Sequence, residues 1–284
     1  MERIGIIGLG RMGSALARRL SAQGAEVTGW TRRGVPADLP VAAAADPAAL
    51  AAAADVIVLS LYDDAAVREV VGGLTRTRLD GKLIVDTSTV VPSLLPGLSD
   101  AIAAAGARAV DAPISGGPEM VEGGTCGIFV GGAGADADRA LAVLRLVTDK
   151  ALHVGPLGAG QAMKAVNNTV LQGYMTTLCA ALPVAKAAGI DMELVLKLLI
   201  AGPAGTPMLS TRLPKILGED ETVGFPVAAA LDDCDIFRAA ASEAGADTTV
   251  LDAARRRMAA AVEAGLGERD LAVLVPHAWE AGGA

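Results

Sequence analysis

Two stretches of the sequence gather side chains suited to acid/base and anion-binding work. Lys164 and Asn168 stand four positions apart in Gly160-Gln161-Ala162-Met163-Lys164-Ala165-Val166-Asn167-Asn168. On a helix they share one face and can meet one ligand. Hydride reduction of a carbonyl leaves negative charge on oxygen, and an ammonium within hydrogen-bond reach stabilises that charge and delivers a proton. A lysine isolated on a helix is ordinarily a snorkelling surface residue, so the flanking motif has to carry the stronger reading. In Asp111-Ala112-Pro113-Ile114-Ser115-Gly116-Gly117, an apolar run ends in Ser115, Gly116 and Gly117, whose hydroxyl and exposed N–H groups suit a carboxylate. Alone, that segment reads equally as a plain βα turn.

A third stretch stands near the first residue. Ile4-Gly5-Ile6-Ile7 runs into Gly8-Leu9-Gly10-Arg11-Met12-Gly13, and Ser14 to Gln23 has helical character. In such a strand–loop–helix, Gly8 permits the tight turn, Gly10 lets backbone approach a pyrophosphate, and Gly13 lets helix and strand pack closely. The bare spacing is a weak signal, but the strand before it and the helix after it make it a dinucleotide-binding loop. About twenty residues on, the second strand ends Trp30-Thr31-Arg32-Arg33, with no carboxylate to take ribose hydroxyls. Two guanidinium groups and the Thr31 hydroxyl suit a 2′-phosphate, so NADP (as NADPH) is expected rather than NAD.

Elements able to position these groups are legible from periodicity. Apolar runs at Arg3–Ile7, Glu26–Trp30, Val56–Leu59, Leu83–Asp86, Ala107–Asp111, Gly127–Val130 and Leu152–Val154 alternate with Ala/Leu-rich helical stretches. Strands that are apolar without alternation belong to a parallel sheet covered on both faces, which gives an α/β, doubly wound fold. After Gly160 the pattern turns helical: Gln161–Ala187, a helix capped by Asp191 and running to about Ala201, a Gly/Pro loop at Gly202–Pro207, then Val227–Ala244, Thr249–Ala264 and Asp270–Ala278. The expected division is a nucleotide-binding domain at 1–158 and an all-α domain for substrate and dimer contacts at 159–284. Met175, Leu178 and Phe237 are candidates for shaping the substrate pocket.

Taken in order, the glycine loop, the Asp111–Gly117 segment and the Gly160–Asn168 segment resemble the β-hydroxyacid dehydrogenase family, of the 3-hydroxyisobutyrate dehydrogenase-like kind, and the resemblance covers most of the chain. It implies a Rossmann domain joined through a long helix to a helical domain, and a homodimer. It assigns the proton donor and acceptor to Lys164, with Asn168 orienting it or the substrate. Cofactor contacts fall to Gly8, Leu9, Gly10, Arg11, Met12, Gly13, Thr31, Arg32 and Arg33, with Leu61 and Thr89 beside the nicotinamide. Ser115, Gly116 and Gly117 bind substrate. One departure stands out in Phe225-Pro226-Val227-Ala228-Ala229-Ala230-Leu231-Asp232-Asp233-Cys234-Asp235, where Asp232 occupies the place of the family's usual lysine. An acid there disfavours an anionic substrate and favours a neutral or cationic one. The main reading is therefore hydride transfer between NADPH and a small aldehyde, semialdehyde or 3-hydroxyacid. The alternatives are an imine reductase acting on C=N, and an NADP-binding protein without turnover.

Composition narrows the partners. The 284 residues are 52% hydrophobic and only 2% aromatic, so the core is built of aliphatic side chains. A net charge of -8 repels nucleic-acid backbones and anionic membrane surfaces, which leaves a small molecule as the expected partner. Cys126, Cys179 and Cys234 are widely spaced, with only His153 and His277 for company, so neither a metal site nor disulfides are expected. Asp46, Pro47 and Asp55 interrupt the apolar run from Val41 to Leu61, and the glycine loop comes too early for a signal segment. The expectation is a soluble, unprocessed, cytoplasmic chain.

Overall fold

A computed structural model describes residues 2–281. Contacts divide the chain into two compact units, one running to Lys164 and the other starting at Ala165. In chain order the first holds β1 (Ile4–Ile7), α1 (Arg11–Ala22), β2 (Val27–Trp30), β3 (Ala42–Ala43), α2 (Pro47–Ala53), β4 (Val56–Leu59) and α3 (Asp64–Leu74). It continues with β5 (Leu83–Asp86), α4 (Ser99–Ala104), β6 (Arg108–Asp111), β7 (Ile114–Ser115), α5 (Pro118–Glu122), β8 (Gly127–Gly131), α6 (Gly134–Leu144) and β9 (Ala151–Gly155).

Nine strands form one sheet among the described residues, ordered β3-β2-β1-β4-β5-β6-β8-β7, with β9 also paired to β8. The strands from β3 to β6 are parallel, and every residue of β1, β4 and β5 is buried, as a sheet covered on both faces requires. The strand expected at Gly127–Val130 is present as β8 but runs antiparallel to β6 and β7, so the sheet is mixed at that end. β7 and β3 were not expected: each has two residues, too few to show a period.

Local chemistry sets the helix starts. Asp46 caps α2 by accepting from Ala49 N, with Pro47 in the first turn, and Asp63 does the same for α3 through Ala66 N. Two aliphatic cores flank the sheet, one around Ile6, Leu16, Val58 and Val85, the other around Ile7, Leu59, Leu74 and Ile84.

Helices make up the second unit. The 29-residue α7 (Ala159–Ala187) begins in the first unit and supplies most of its length to the second. There follow α8 (Met192–Ala201), α9 (Pro207–Ile216), α10 (Val227–Glu243), α11 (Thr249–Glu263) and α12 (Leu274–Ala281). Asp191 caps α8 by accepting from Leu194 N, as expected. α9 was not foreseen, because Gly202–Pro207 reads as a loop and Pro214 lies inside the helix; Thr206 caps it, and Pro207 sits where a missing N–H costs nothing. Met175, Leu178 and Phe237 pack into the core of this unit, so the expectation that they line a pocket gives way to a packing role. No helix among the described residues is long and apolar enough to cross a membrane. All three cysteines are buried thiols, and burial pushes Cys179 up to about 11 and Cys234 to about 12.

One buried carboxyl makes stability depend on pH. Asp86 is fully buried at the end of β5, with Oδ1 accepting from Ser88 N at 3.0 Å and Oδ2 without a hydrogen-bond partner. Desolvation raises its pKa to about 6 from the usual 3.8. Between those values the folded protein holds a proton that the unfolded chain has released, so stability falls as pH rises through that window. At neutral pH the loss is on the order of 3 kcal/mol, since a tenfold change in proton affinity carries about 1.4 kcal/mol. We predict that urea unfolding at pH 4.5 and 7.5 shows wild type losing stability across that interval and Asp86→Asn losing much less. Equal losses in the two proteins would refute this.

Candidate active site

The carboxyl ends of the parallel strands stop in line. Trp30, Ile7, Leu59, Asp86 and Asp111 are successive partners across β2, β1, β4, β5 and β6. Open α/β sheets take their ligands just beyond such a row. Thr31, Gly8, Leu61, Thr89 and Ser115 all follow it closely in sequence, so one sheet edge gathers residues expected from five separate places in the chain.

The glycine loop fits a dinucleotide. Gly8 has φ of +96°, and a β-carbon there would run into Ser60 O; one on Gly13 would overlap Gly8 O. The Gly8 N–H donates to Trp30 O at 2.9 Å, which fixes the turn to β2. Gly10 is the N-cap of α1, makes no side-chain cap, and has open space where a β-carbon would point. That is the arrangement an approaching diphosphate requires: close backbone, free volume and a positive helix end. No acidic residue lies in the first turn to oppose it. Beyond β2, Arg32 and Arg33 are exposed and form no ion pair among the described residues, while the nearby Asp38 is paired with Arg18.

Around the ends of β4 and β5 the backbone is tied by side chains that sequence reasoning had not singled out. Leu61 N donates to Ser88 Oγ at 2.9 Å, and Thr87 Oγ1 donates to Leu59 O at 2.6 Å. Thr89 is half-buried between Ser88 and Val90. Leu61 Cδ2 stands near the inner side of Gly8.

Lys164 lies in the first unit and reaches the other motif. Its Nζ donates to Ile114 O at 2.6 Å, immediately before Ser115, so the Asp111–Gly117 segment and the start of α7 are brought together. Both Lys164 and Ser115 are half-buried, and Gly116, at φ +136°, holds a conformation that side chains rarely adopt. The junction is fixed by Asp111: its Oδ1 accepts from Gly158 N and its Oδ2 from Gln161 N, both at 2.7 Å. Burial pushes the Asp111 carboxyl up, while these backbone donors pull it down. Asp111 and Gln161 lie inside the predicted motifs, but nothing in their spacing marked them as partners.

The remaining predicted residues belong to the second unit. Asn168 Oδ1 accepts from Asn167 Nδ2 at 2.9 Å. Asp232 is exposed in α10, whose Phe225-Pro226 start is held by Asp270, with Oδ2 accepting from Gly224 N and Phe225 N. Among the described residues no cluster of His, Cys, Asp and Glu could hold a metal ion.

Comparison with known proteins gives the family and the fold. Residues 3–155 match the family model described as the NAD binding domain of 6-phosphogluconate dehydrogenase, and residues 158–278 that described as NAD-binding of NADP-dependent 3-hydroxyisobutyrate dehydrogenase. The chain is 30% identical over 286 residues to 2-(hydroxymethyl)glutarate dehydrogenase of Eubacterium barkeri, covering 98% of this chain and 95% of that one. Among solved structures, 3-hydroxyisobutyrate dehydrogenase of Mycobacterium tuberculosis with L-serine superposes with a TM-score of 0.87 at 25% identity, covering 98% of this chain and 99% of the other. An imine reductase from Myxococcus stipitatus shares the fold, with a TM-score of 0.66 at 24% identity and coverage of 97% and 98%.

Proposed function

The chain belongs to the β-hydroxyacid dehydrogenase family, and we propose that it moves hydride between NADPH and a small aldehyde, semialdehyde or 3-hydroxyacid, with Lys164 as proton donor and acceptor. It is an NAD(P)-dependent oxidoreductase of the hydroxyacid dehydrogenase and semialdehyde reductase type. The observation that carries the finer reading is the hydrogen bond from Lys164 Nζ to Ile114 O, which holds an ammonium beside Ser115.

A bound reduced nicotinamide supplies the hydride. Gly8, Leu9, Gly10, Arg11, Met12 and Gly13 would hold the diphosphate, Thr31, Arg32 and Arg33 the 2′-phosphate, and Leu61 and Thr89 would line the nicotinamide. NADP over NAD is supported by the exposed Arg32 and Arg33, which form no ion pair among the described residues, and by the lack of a carboxylate at the end of β2. In this reading Ser115, Gly116 and Gly117 orient the substrate through a hydroxyl and backbone N–H groups. Lys164 stabilises charge growing on the substrate oxygen and donates its proton there, and Asn168 orients that amine or the substrate. The Ile114 carbonyl accepts one of the three ammonium hydrogens, which fixes the amine against the Asp111–Gly117 segment.

A second reading, reduction of a C=N substrate, is favoured by Asp232, which puts a carboxylate where the family usually has a lysine. A negative charge there suits a cationic iminium. A homodimer is also proposed; supporting it are Val166, Val170 and Val184 on α7 and Leu194 and Leu198 on α8, all exposed apolar side chains of the helical unit.

Oxidation of NADPH with a panel of semialdehydes, glyoxylate and cyclic imines tests the first reading against the second: turnover with aldehydes supports the first, turnover with imines alone the second. Lys164→Ala should lower kcat by roughly 10²–10⁴-fold while NADPH still binds; wild-type turnover in that variant would dismiss the assignment. Arg32→Ala should raise the Kd for NADPH far more than for NADH, and equal changes would count against 2′-phosphate recognition. Light scattering should report a dimer, and a monomer would remove that proposal.

A further inference from the structure

The first turn of α7 is gripped from two directions within the first unit. On one side stands Asp111, already described, for which Gly131 and Gly160 leave room, since a β-carbon on either would collide with its carboxylate. On the other, the buried Gln161 side chain donates from Nε2 to Ser88 O at 2.7 Å and accepts at Oε1 from Val90 N at 3.4 Å. Those two backbone groups flank Thr89, so a single amide straddles the residue proposed to line the nicotinamide. Lys164 comes three positions after Gln161, on the same side of the helix and one turn along. A primary amide suits this place because it offers a donor and an acceptor at once; a carboxylate of the same shape offers no donor, and an aliphatic side chain offers neither.

We infer that Gln161 is a positioning residue that fixes the spacing between the Thr89 segment and the Lys164 ammonium. The inference rests on the reading of Lys164 as proton donor. Gln161 itself acts only through the two groups it connects, and a displacement of about 1 Å between such groups costs on the order of 10²-fold in rate.

Five proteins test it: wild type, Gln161→Ala, Gln161→Glu, Lys164→Ala and the Gln161→Ala/Lys164→Ala double variant. Gln161→Ala should lower kcat roughly 10–100-fold while the KM for NADPH changes less than about threefold. In the nucleotide-free protein the Val90 amide should exchange its hydrogen faster than in wild type. Gln161→Glu keeps the shape and the acceptor, and it keeps the test open where Gln161→Ala does not fold. Its introduced carboxyl can donate to Ser88 O only when protonated, so its kcat relative to wild type should climb as pH falls. Asp86, Asp111 and Asp64, whose carboxylates accept from Ser88 N, Gln161 N and Val91 N, all disfavour the ionised form there and bring that climb to higher pH.

The double variant should be no slower than Lys164→Ala alone, because groups that act as one unit do not contribute independently. Wild-type kcat in both Gln161 variants, or costs that multiply in the double variant, would overturn the inference while leaving an inactive Lys164→Ala to support the lysine. Wild-type turnover in Lys164→Ala would overturn both together.

Discussion

A carboxylate buried at the end of β6 accepts the backbone N–H groups of Gly158 and Gln161, and through that pair of 2.7 Å hydrogen bonds the sheet takes hold of the long helix. Leaving such a group unmatched in the interior would be costly, so its oxygens have to find donors. The first turn of an α-helix has N–H groups to spare and a favourable dipole for negative charge. Asp111 and the start of α7 therefore satisfy each other. The space for this comes from Gly131 and Gly160, where any side chain would push the carboxylate away. Because Lys164 lies one turn beyond Gln161, the direction of its ammonium follows from that contact, as does its bond to Ile114 O.

The sheet register then places everything else. Since Ile7, Leu59, Asp86 and Asp111 pair across adjacent strands, each loop that follows starts at the same height, and the side chains that chemistry needs come from separate loops along one edge. Ser88 illustrates how the loops are fixed to one another: its hydroxyl accepts from Leu61 N and its carbonyl from the Gln161 amide. Rigid strands and mutually tied loops are what hold a catalytic group within a fraction of an ångström of its place. Burial of Asp86 beneath this network raises its pKa and costs stability, so the site edge is tied down by carboxyls that the folded protein holds at some expense.

Much of this was legible in the sequence, and the parts that were not share a physical cause. The runs at Val56–Leu59 and Leu83–Asp86 were read to the residue, because a strand buried on both faces is apolar throughout and ends abruptly. The glycine loop was legible because its turn and close packing exclude side chains. The direction of β8 was not, since an apolar run looks the same in a parallel or an antiparallel sheet, and α9 hid behind Pro207 and Pro214. Within the site, the motifs marked Lys164 and Ser115, but the pairing of Asp111 with Gly158 and of Gln161 with Ser88 joins residues 47 and 73 apart. No local period records contacts over such separations. Asp232 was visible at once as a departure from the family pattern, and the structure shows it exposed on α10.

The proposed chemistry needs one amine held beside the reactive ring of a bound dinucleotide. A crystal structure of the complex with NADPH tests it directly. Lys164 Nζ should lie within roughly 4–6 Å of the nicotinamide C4 atom, the gap that a carbonyl fills when its carbon lies about 3–3.5 Å from the hydride source and its oxygen at hydrogen-bond distance from the amine. An Nζ more than about 10 Å from C4 and turned to bulk water, beyond any such hydrogen-bond reach, would contradict it.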